Sequence, residues 1–377
     1  MERATAIVHV RCLGRNSMPA SVLGTVKIGI LNDMADFSEP DGCGAVPGDV
    51  TGWLERELAV VREAGRITAS IDFIHAYGLG LPSGTADAVE RAYRQLAEAG
   101  CSLIVGPAIG DNALAVTPLA EQLRIPTINW AGAERARGRY MFQHQVGSHE
   151  DESLVIARHM AAIGCRRLAV AYDLSPVGTR HLKYLEDEAR VLGIAIVSRQ
   201  GLSPLAEDAA ETVDALLESG PDGFVYLGLG VSAPAVAREL VADGWDGPNI
   251  MNTAGLRGYD EDFARDCEGW FYIDMHSDRN ATLRTQMKQL NAPRSQALAV
   301  AKGHDLGRLV AEGLARASDL TREGIRVGLE QVKWLPAAEG LEGTLLGFGI
   351  QDRGALHGRY LVVRQWLGGE TREVLAA

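Results

Sequence analysis

Short apolar runs alternate with amphipathic stretches along almost the whole chain. Val26 to Leu31 (VKIGIL) reads as a buried strand, and Val50 to Glu63 carries its apolar residues at helical spacing. Thr68 to His75 predicts a second strand, and Thr85 to Ala99 predicts a helix with Gly100 as its stop. Cys101 to Val105 is a third strand that breaks at Gly106-Pro107. A helix from about Asp111 to Leu123 and a strand at Pro126 to Asn129 follow. In an open parallel sheet the loops after the strands' carboxyl ends face a crevice, and the next helix points backbone N–H groups into it. The loops around residues 106–112 and 129–133 are therefore where a small molecule is expected.

The pattern then restarts. Tyr140 to Gln145 predicts a strand, and Ser148-His149-Glu150-Asp151 reads as a capping box before a helix to Ile163. Strands at Arg167 to Tyr172, Ile194 to Arg199, Gly223 to Leu227 and Asn249 to Asn252 alternate with helices at Thr179 to Leu192, Glu207 to Ser219 and Ser232 to Asp243. Two consecutive runs of this alternation predict an α/β protein of two doubly wound parallel-sheet lobes. The last third breaks the rhythm. Gly269 to Met275 is extended, Ser295 to Ala317 is the longest helical pattern, Thr321 to Val332 is another helix, and Thr344 to Ile350 with Arg359 to Gln365 predicts a closing hairpin. Two long helices with no strand between them must dock on a sheet already built, most economically the first lobe. The expected division is residues 22–140 plus 276–342 for the first lobe, 141–275 plus 343–377 for the second, and 1–21 as an N-terminal arm. The chain then crosses between lobes near Tyr140, Tyr272 and Gly343, a three-strand hinge.

At 377 residues with 46% hydrophobic and 23% charged positions, the chain is long enough for two packed domains and ordinary for a globular protein. A net charge of -12 and the lack of a basic cluster argue against nucleic-acid or anionic-membrane partners. No apolar run is long enough to span a bilayer, so no direct membrane insertion is expected. The start has only a brief apolar segment, Ala6 to Val8, followed by His9 and Arg11. As written it implies a cytoplasmic chain, or a periplasmic or extracellular one if the true precursor start differs. Five scattered cysteines form no CxxC pair and have no histidine at zinc spacing, so no metal is expected; Cys101 and Cys165 read as small buried hydrophobes.

Several signals have plain structural readings. Gly228, Gly230 and Ala233 match a dinucleotide fingerprint, but the next strand ends in Asn252 with no acidic residue for a ribose, so no cofactor is expected. His149 to Glu152 reads as a solvated first helical turn, His75 as a satisfied core group, and Arg135, Arg137 and Arg139 as a solvated connector. No nucleophile-base constellation marks an enzyme.

The segments VKIGILNDMADF, VGPAIGDNALAVTPLAEQLRIPTINWAGA, LAVAYDLSPVGTRHLKYLEDEA, DGFVYLGLGVSAPAVARELVADGWDGP and GTLLGFGIQDRGALHGRYLVVRQW, in this order and spacing, resemble the type I periplasmic binding proteins of the Leu/Ile/Val-binding family over roughly Val26 to Trp366. The resemblance implies a non-enzymatic solute-binding protein whose two lobes close on a small ligand. ABC transporter permease subunits would be its partners, with a cytoplasmic ligand sensor that acts on a regulatory partner as the alternative. It also implies a ligand carboxylate held at Ile109, Gly110, Asp111 and Asn112 and at Trp130, Ala131 and Gly132, and an α-ammonium partner on the loop of Ala254 and Gly255. Asp36, Phe37, Asn129, Val177 and Leu229 complete the expected site. The chain departs from the family at its polar contacts. Gly110-Asp111 stands where a serine or threonine is common, Ala254 where the acidic partner would fall, and Val177 where a tyrosine is frequent. Asp111 either caps its helix or faces the ligand, and in the second case it repels a carboxylate. The expected ligand is thus amide-like, aromatic or apolar, with Trp130 and Phe37 as flat surfaces.

Overall fold

The structure is a computed structural model that describes residues 10–11, 24–34, 50–259 and 261–374. Asp36, Phe37 and most of the N-terminal arm lie outside the described residues. Two compact units divide the chain: Met1–Val146 with Asn280–Gly358, and Gly147–Arg279 with Arg359–Ala377.

The first unit opens with β1 (Val10–Arg11), β2 (Thr25–Asn32), α1 (Val50–Glu63), β3 (Ser70–Tyr77), α2 (Ala86–Glu98), β4 (Leu103–Val105), α3 (Gly110–Leu123), β5 (Thr127–Asn129) and β6 (Met141–Gln143). Its sheet has the order β1-β3-β2-β4-β5-β6, parallel except for β1. Thr85 caps α2 by accepting a hydrogen bond from Ala88 N at 3.2 Å. The helix then turns Val89, Tyr93 and Leu96 into a core shared with Leu31 and Ile104 of the sheet and Val116 and Leu119 of α3. Each fully buried side chain of this kind stabilises the fold by about 1.5–3 kcal/mol.

The second unit comprises α4 (His149–Ala162), β7 (Arg167–Asp173), α5 (Pro176–Leu192), β8 (Ala195–Leu202), α6 (Ala210–Leu217), β9 (Gly223–Leu227), α7 (Ala233–Ala242), β10 (Asn249–Met251), a 3-10 turn at Thr253–Tyr259, α8 (Glu261–Asp266) and β11 (Phe271–Asp274). The chain returns to the first unit for α9 (Ala281–Leu290), α10 (Ala297–Arg316), α11 (Arg322–Glu330) and three two-residue strands, β12 (Leu335–Pro336), β13 (Leu345–Leu346) and β14 (Leu356–His357). It ends in the second unit with β15 (Val362–Leu367) and β16 (Glu370–Glu373), which complete the sheet order β16-β15-β11-β10-β9-β7-β8. In each unit the first long parallel strand, β2 or β7, lies between the strands that follow it. That order creates a topological switch point between β2 and β4 and between β7 and β9.

The two long helices do join the first unit. Gly303 and Gly307 of α10 let Trp53 of α1 approach so closely that a Cβ on Gly307 would lie 2.7 Å from the Trp53 carbonyl oxygen. Glu57 of α1 accepts a hydrogen bond from His304 Nδ1 at 3.0 Å across the same contact.

The crossings fall later in the chain than the sequence pattern suggests, at 146/147, 279/280 and 358/359. β6 extends the first sheet through Thr127↔Met141 and Asn129↔Gln143 pairing, which keeps residues 141–146 in that unit. Residues 343–358 stay there too, because β13 pairs with β12 and β14 and Gln143 bridges to Gly354. The expected closing hairpin is therefore corrected. β15 pairs antiparallel with β11 and β16, and the turn Gly368-Gly369, with φ of 65° and 73°, joins β15 to β16.

Candidate functional site

In the first unit the loops at the carboxyl ends of β2, β3 and β4 are knotted by one carboxylate. Asp33, the residue after β2, is 2% exposed. Its Oδ1 accepts from Ala108 N at 2.9 Å, and its Oδ2 accepts from Ile109 N at 3.0 Å and from Asn112 Nδ2 at 2.8 Å. Ile109 is the N-cap of α3 and makes no side-chain cap of its own. A residue 76 positions upstream thus places a negative charge at the positive end of the α3 dipole. Burial pushes the Asp33 carboxyl above its ordinary range, and the bonds from Asn112, Ala108 and Ile109 oppose that shift. Asn112 also clamps the β3 loop, accepting from Leu81 N at 3.0 Å. A Cβ on Gly80 would fall 2.2 Å from Asn112 Nδ2, so this approach requires glycine.

The neighbouring loop, after β5, is held by amides. Asn129 Nδ2 donates to the carbonyls of Ala136 (2.9 Å) and Phe142 (3.0 Å) while its Oδ1 accepts from Ala131 N (3.1 Å). Gln143 Nε2 donates to the carbonyls of Ala131 and Ala133, at 2.5 and 3.0 Å. Trp130 N donates to the Pro107 carbonyl at 3.1 Å and joins the two loops, leaving the indole half-buried.

The second unit repeats the device. Asp173 ends β7 and is wholly buried. Its Oδ1 accepts from Tyr226 Oη at 2.7 Å and Ser232 Oγ at 3.0 Å, and its Oδ2 accepts from Leu229 N at 2.7 Å. Gly228 lies so close that a Cβ there would be 2.1 Å from the carboxylate, and the Asn252 side chain both accepts from Gly228 N and donates to its carbonyl. Gly228 therefore serves close contact with Asp173, while Gly230 takes a left-handed backbone at φ 83°. Burial, and next the Asp173 charge, push the Tyr226 phenol well above its usual range.

A second buried acid organises the other end of this site. Glu152 Oε1 accepts from Ser148 N at 2.7 Å, and its Oε2 accepts from Thr253 N at 2.6 Å. Ser148 Oγ in turn accepts from Asp151 N, so the capping box exists with Glu152 rather than Asp151 as its reciprocal member. The expectation of a solvated first turn is corrected at His149 and Glu152, which are buried 3% and 0% exposed. His149 packs against His181 with ring centroids 4.5 Å apart and the planes tilted by 51°, and its Nδ1 accepts from Arg180 Nε at 3.2 Å. Burial, then the neighbouring His181 and Arg180, hold the His149 imidazole well below 6.5 and neutral. Below about 6.5 the unfolded chain binds a proton that the folded one refuses, so stability falls with falling pH by up to about 1.4 kcal/mol per unit. Thermal melts between pH 8 and pH 5 should show that loss, and His149→Gln should flatten the slope; an unchanged slope in the variant contradicts a neutral buried His149.

The sequence matches the family model described as "Periplasmic binding protein" over residues 82–365, three-quarters of the chain. The chain belongs to the periplasmic binding protein family. Among solved structures, a type 1 periplasmic binding protein from Bordetella pertussis Tohama I aligns with a TM-score of 0.77 at 16% identity, covering 93% of this chain and 99% of that one. An ABC transporter substrate-binding protein from Desulfitobacterium hafniense in complex with Leu gives 0.73 at 18%, covering 93% and 100%. A leucine-binding protein from Thermotoga maritima gives 0.73 at 14%, covering 93% and 98%. No curated protein matches the sequence. The fold is that of a type I periplasmic binding protein, and the family is one of non-enzymatic solute-binding proteins.

Within this periplasmic binding protein fold the expected site residues divide by what their side chains do. Ile109, Trp130 and Gly132 of the first unit and Leu229 of the second are half-buried at loops after strand carboxyl ends. Gly110 and Asp111 form the first turn of α3, with Asp111 9% exposed and not the N-cap. Asn112 and Asn129 are fully buried loop clamps, and Ala131 is enclosed beside Asn129. Val177 is buried in the first turn of α5, where its carbonyl faces His181 Nδ1 at 3.1 Å. Ala254 and Gly255 belong to the 3-10 turn, where a Cβ on Gly255 would be 2.3 Å from Tyr272 Cβ. Asp33 and Asp173 are not among the expected site residues, and Glu152 enters the sequence reading only as part of a solvated first turn. The available signal was repetition: both VKIGILND and RLAVAYD end a buried strand in aspartate.

Proposed function

We propose that this solute-binding protein serves an ABC-type importer and takes a neutral small molecule, amide-like, aromatic or largely apolar, in place of a free α-amino acid. The observation that carries the reading is Asp33. The Ala108 and Ile109 N–H groups beside the first turn of α3, on the loop where the family resemblance puts a ligand carboxylate, already serve the chain's own carboxylate. Asp111 adds a second acid in the same turn. A ligand carboxylate brought there would meet like charge and lose hydration without recovering those donors. At the other expected end, Ala254 offers no charge to an ammonium, and both Glu152 oxygens are engaged by Ser148 N and Thr253 N. Half-buried apolar surface from Trp130 and Ile109, on neighbouring loops of the first unit, suits an uncharged ligand.

A thermal-shift screen of amino acids, amides, aromatic acids and small polyols tests the ligand class, because a ligand at a hundred times its Kd adds about 2.7 kcal/mol. Neutral amides or aromatic compounds should stabilise the protein most; strongest stabilisation by leucine, isoleucine or valine overturns the reading. Uptake of the best ligand by cells with and without the chain tests the importer role. Loss of uptake is expected. Unchanged uptake with the protein in the cytosol would replace the importer reading with that of a ligand sensor.

A further inference from the structure

Inside the first unit, three residues from separate segments converge away from the loops described above. His144 follows β6, Asp305 lies on α10, and Glu339 follows β12; they are 1%, 0% and 0% exposed. One donor atom from each lies within 4.8 Å of the others. His144 Nε2 meets Glu339 Oε2 directly. Glu339 Oε1 has no hydrogen-bond partner among the described residues, though its atom is sealed from solvent. The two oxygens share one carbon, so this orphan acceptor stands at the cluster itself. Asp305 is oriented by backbone: Ala338 N donates to both its oxygens at 2.8 and 2.9 Å, and Glu339 N donates to Oδ2 at 2.9 Å. The His144 backbone is fixed by its N–H, which donates to the Asn129 carbonyl at 2.7 Å.

Charge makes the same point. Two fully buried carboxylates face one imidazole, and buried charge needs a partner or a metal. The next histidine, His304, gives its Nδ1 to Glu57. Imidazole and carboxylate donors together suit a zinc-class ion, whose ligands stand about 2.0–2.2 Å away, and backbone bonds that hold a ligating carboxylate are the usual supporting layer. We propose that His144, Asp305 and Glu339 form a buried divalent-cation site of the zinc class that ties β6, α10 and the segment after β12 together. The ligands are 195 and 34 residues apart, so no local spacing in the sequence announces them. The sequence expectation of no metal rested on cysteine and histidine spacing and could not see them.

The test uses the full chain. After dialysis against chelator, the protein is given one to three equivalents of zinc, desalted and measured by elemental analysis, and a parallel sample is titrated with cobalt and followed by visible absorption. One tightly held equivalent, a cobalt band and a raised Tm are expected, and Glu339→Gln should weaken zinc retention at least tenfold. No retained metal and no cobalt band overturn the site, as does equal retention by Glu339→Gln and His144→Gln, which would mean that the ion sits elsewhere. Should the variants fail to fold, anomalous scattering at the zinc edge from crystals of the unaltered protein decides. A peak among the three side chains supports the site, and peaks only elsewhere overturn it.

Discussion

Asp33→Ala is expected to destabilise the first unit by about 2–4 kcal/mol and, at the same time, to admit carboxylate ligands that the unaltered protein refuses. The stability loss follows from two part-buried donors, Ala108 N and Ile109 N, that lose their acceptor, each costing about 1–2 kcal/mol. Relief of the carboxylate's own burial, visible in its raised pKa, offsets part of that cost. Asn112 keeps its bonds to Leu81 and limits the damage. For a unit of this size the shift in Tm is on the order of 5–15 °C. Asp33→Asn retains one acceptor oxygen and should lose about half as much. The ligand effect separates this account from a merely structural one. With the internal carboxylate gone, the α3 N-terminus regains free N–H groups and should bind small carboxylates at least tenfold more tightly than before. Calorimetric titration with the unaltered and variant proteins measures it; destabilisation without any gain for carboxylates would leave Asp33 a structural residue only.

Asp173→Ala should weaken the second unit by a similar amount, about 2–4 kcal/mol. Leu229 N loses its bond to the Asp173 carboxylate, whereas Tyr226 Oη and Ser232 Oγ retain each other at 2.9 Å. Tyr226→Phe alone removes one hydroxyl and should cost about 1 kcal/mol. Combined with Asp173→Ala it should cost less than the sum, because the hydroxyl it deletes has already lost its stronger partner. Chemical denaturation of the four proteins gives this interaction energy; strict additivity would contradict a shared Asp173-Tyr226-Ser232 network. The Gly228 loop should also loosen in the Asp173 variant, since the close approach that excludes a Cβ there depends on that carboxylate.

Strands and helices were legible where burial writes a local pattern. β9, buried at all five positions, and α2, with Val89, Tyr93 and Leu96 on one face, follow from period alone. α9 was not legible because it buries only Leu283, so no apolar stripe distinguishes it from loop. β16 was missed for a related reason: ETRE is polar throughout, and its partner is set by the Gly368-Gly369 turn, a signal that was present but outweighed by the apolar run at Thr344 to Ile350. That run forms only the two-residue β13, which pairs with β12 and β14 and not with Arg359 to Gln365. The site divides likewise. The strand-end loops were readable from the parallel alternation, and the structure places Trp130 on one of them. Asp33 was not readable, since an aspartate after a strand acquires meaning only when β4's loop folds against it. Asn112 and Asn129 looked like ligand contacts because they are polar residues on crevice loops; their side chains bond to backbone groups and, for Asn112, to the Asp33 carboxylate, partners that the sequence cannot locate.

The central claim is that Asp33 fills the anion position of the first unit, so that the ligand end it faces is uncharged. Phenylacetamide against phenylacetate and 4-methylpentanamide against 4-methylpentanoate differ at that end alone. Isothermal titration of the purified protein with each pair at pH 7.5 should give at least tenfold tighter binding of the amide in whichever pair binds. Equal or tighter binding of the carboxylate, or of leucine over both amides, would contradict it.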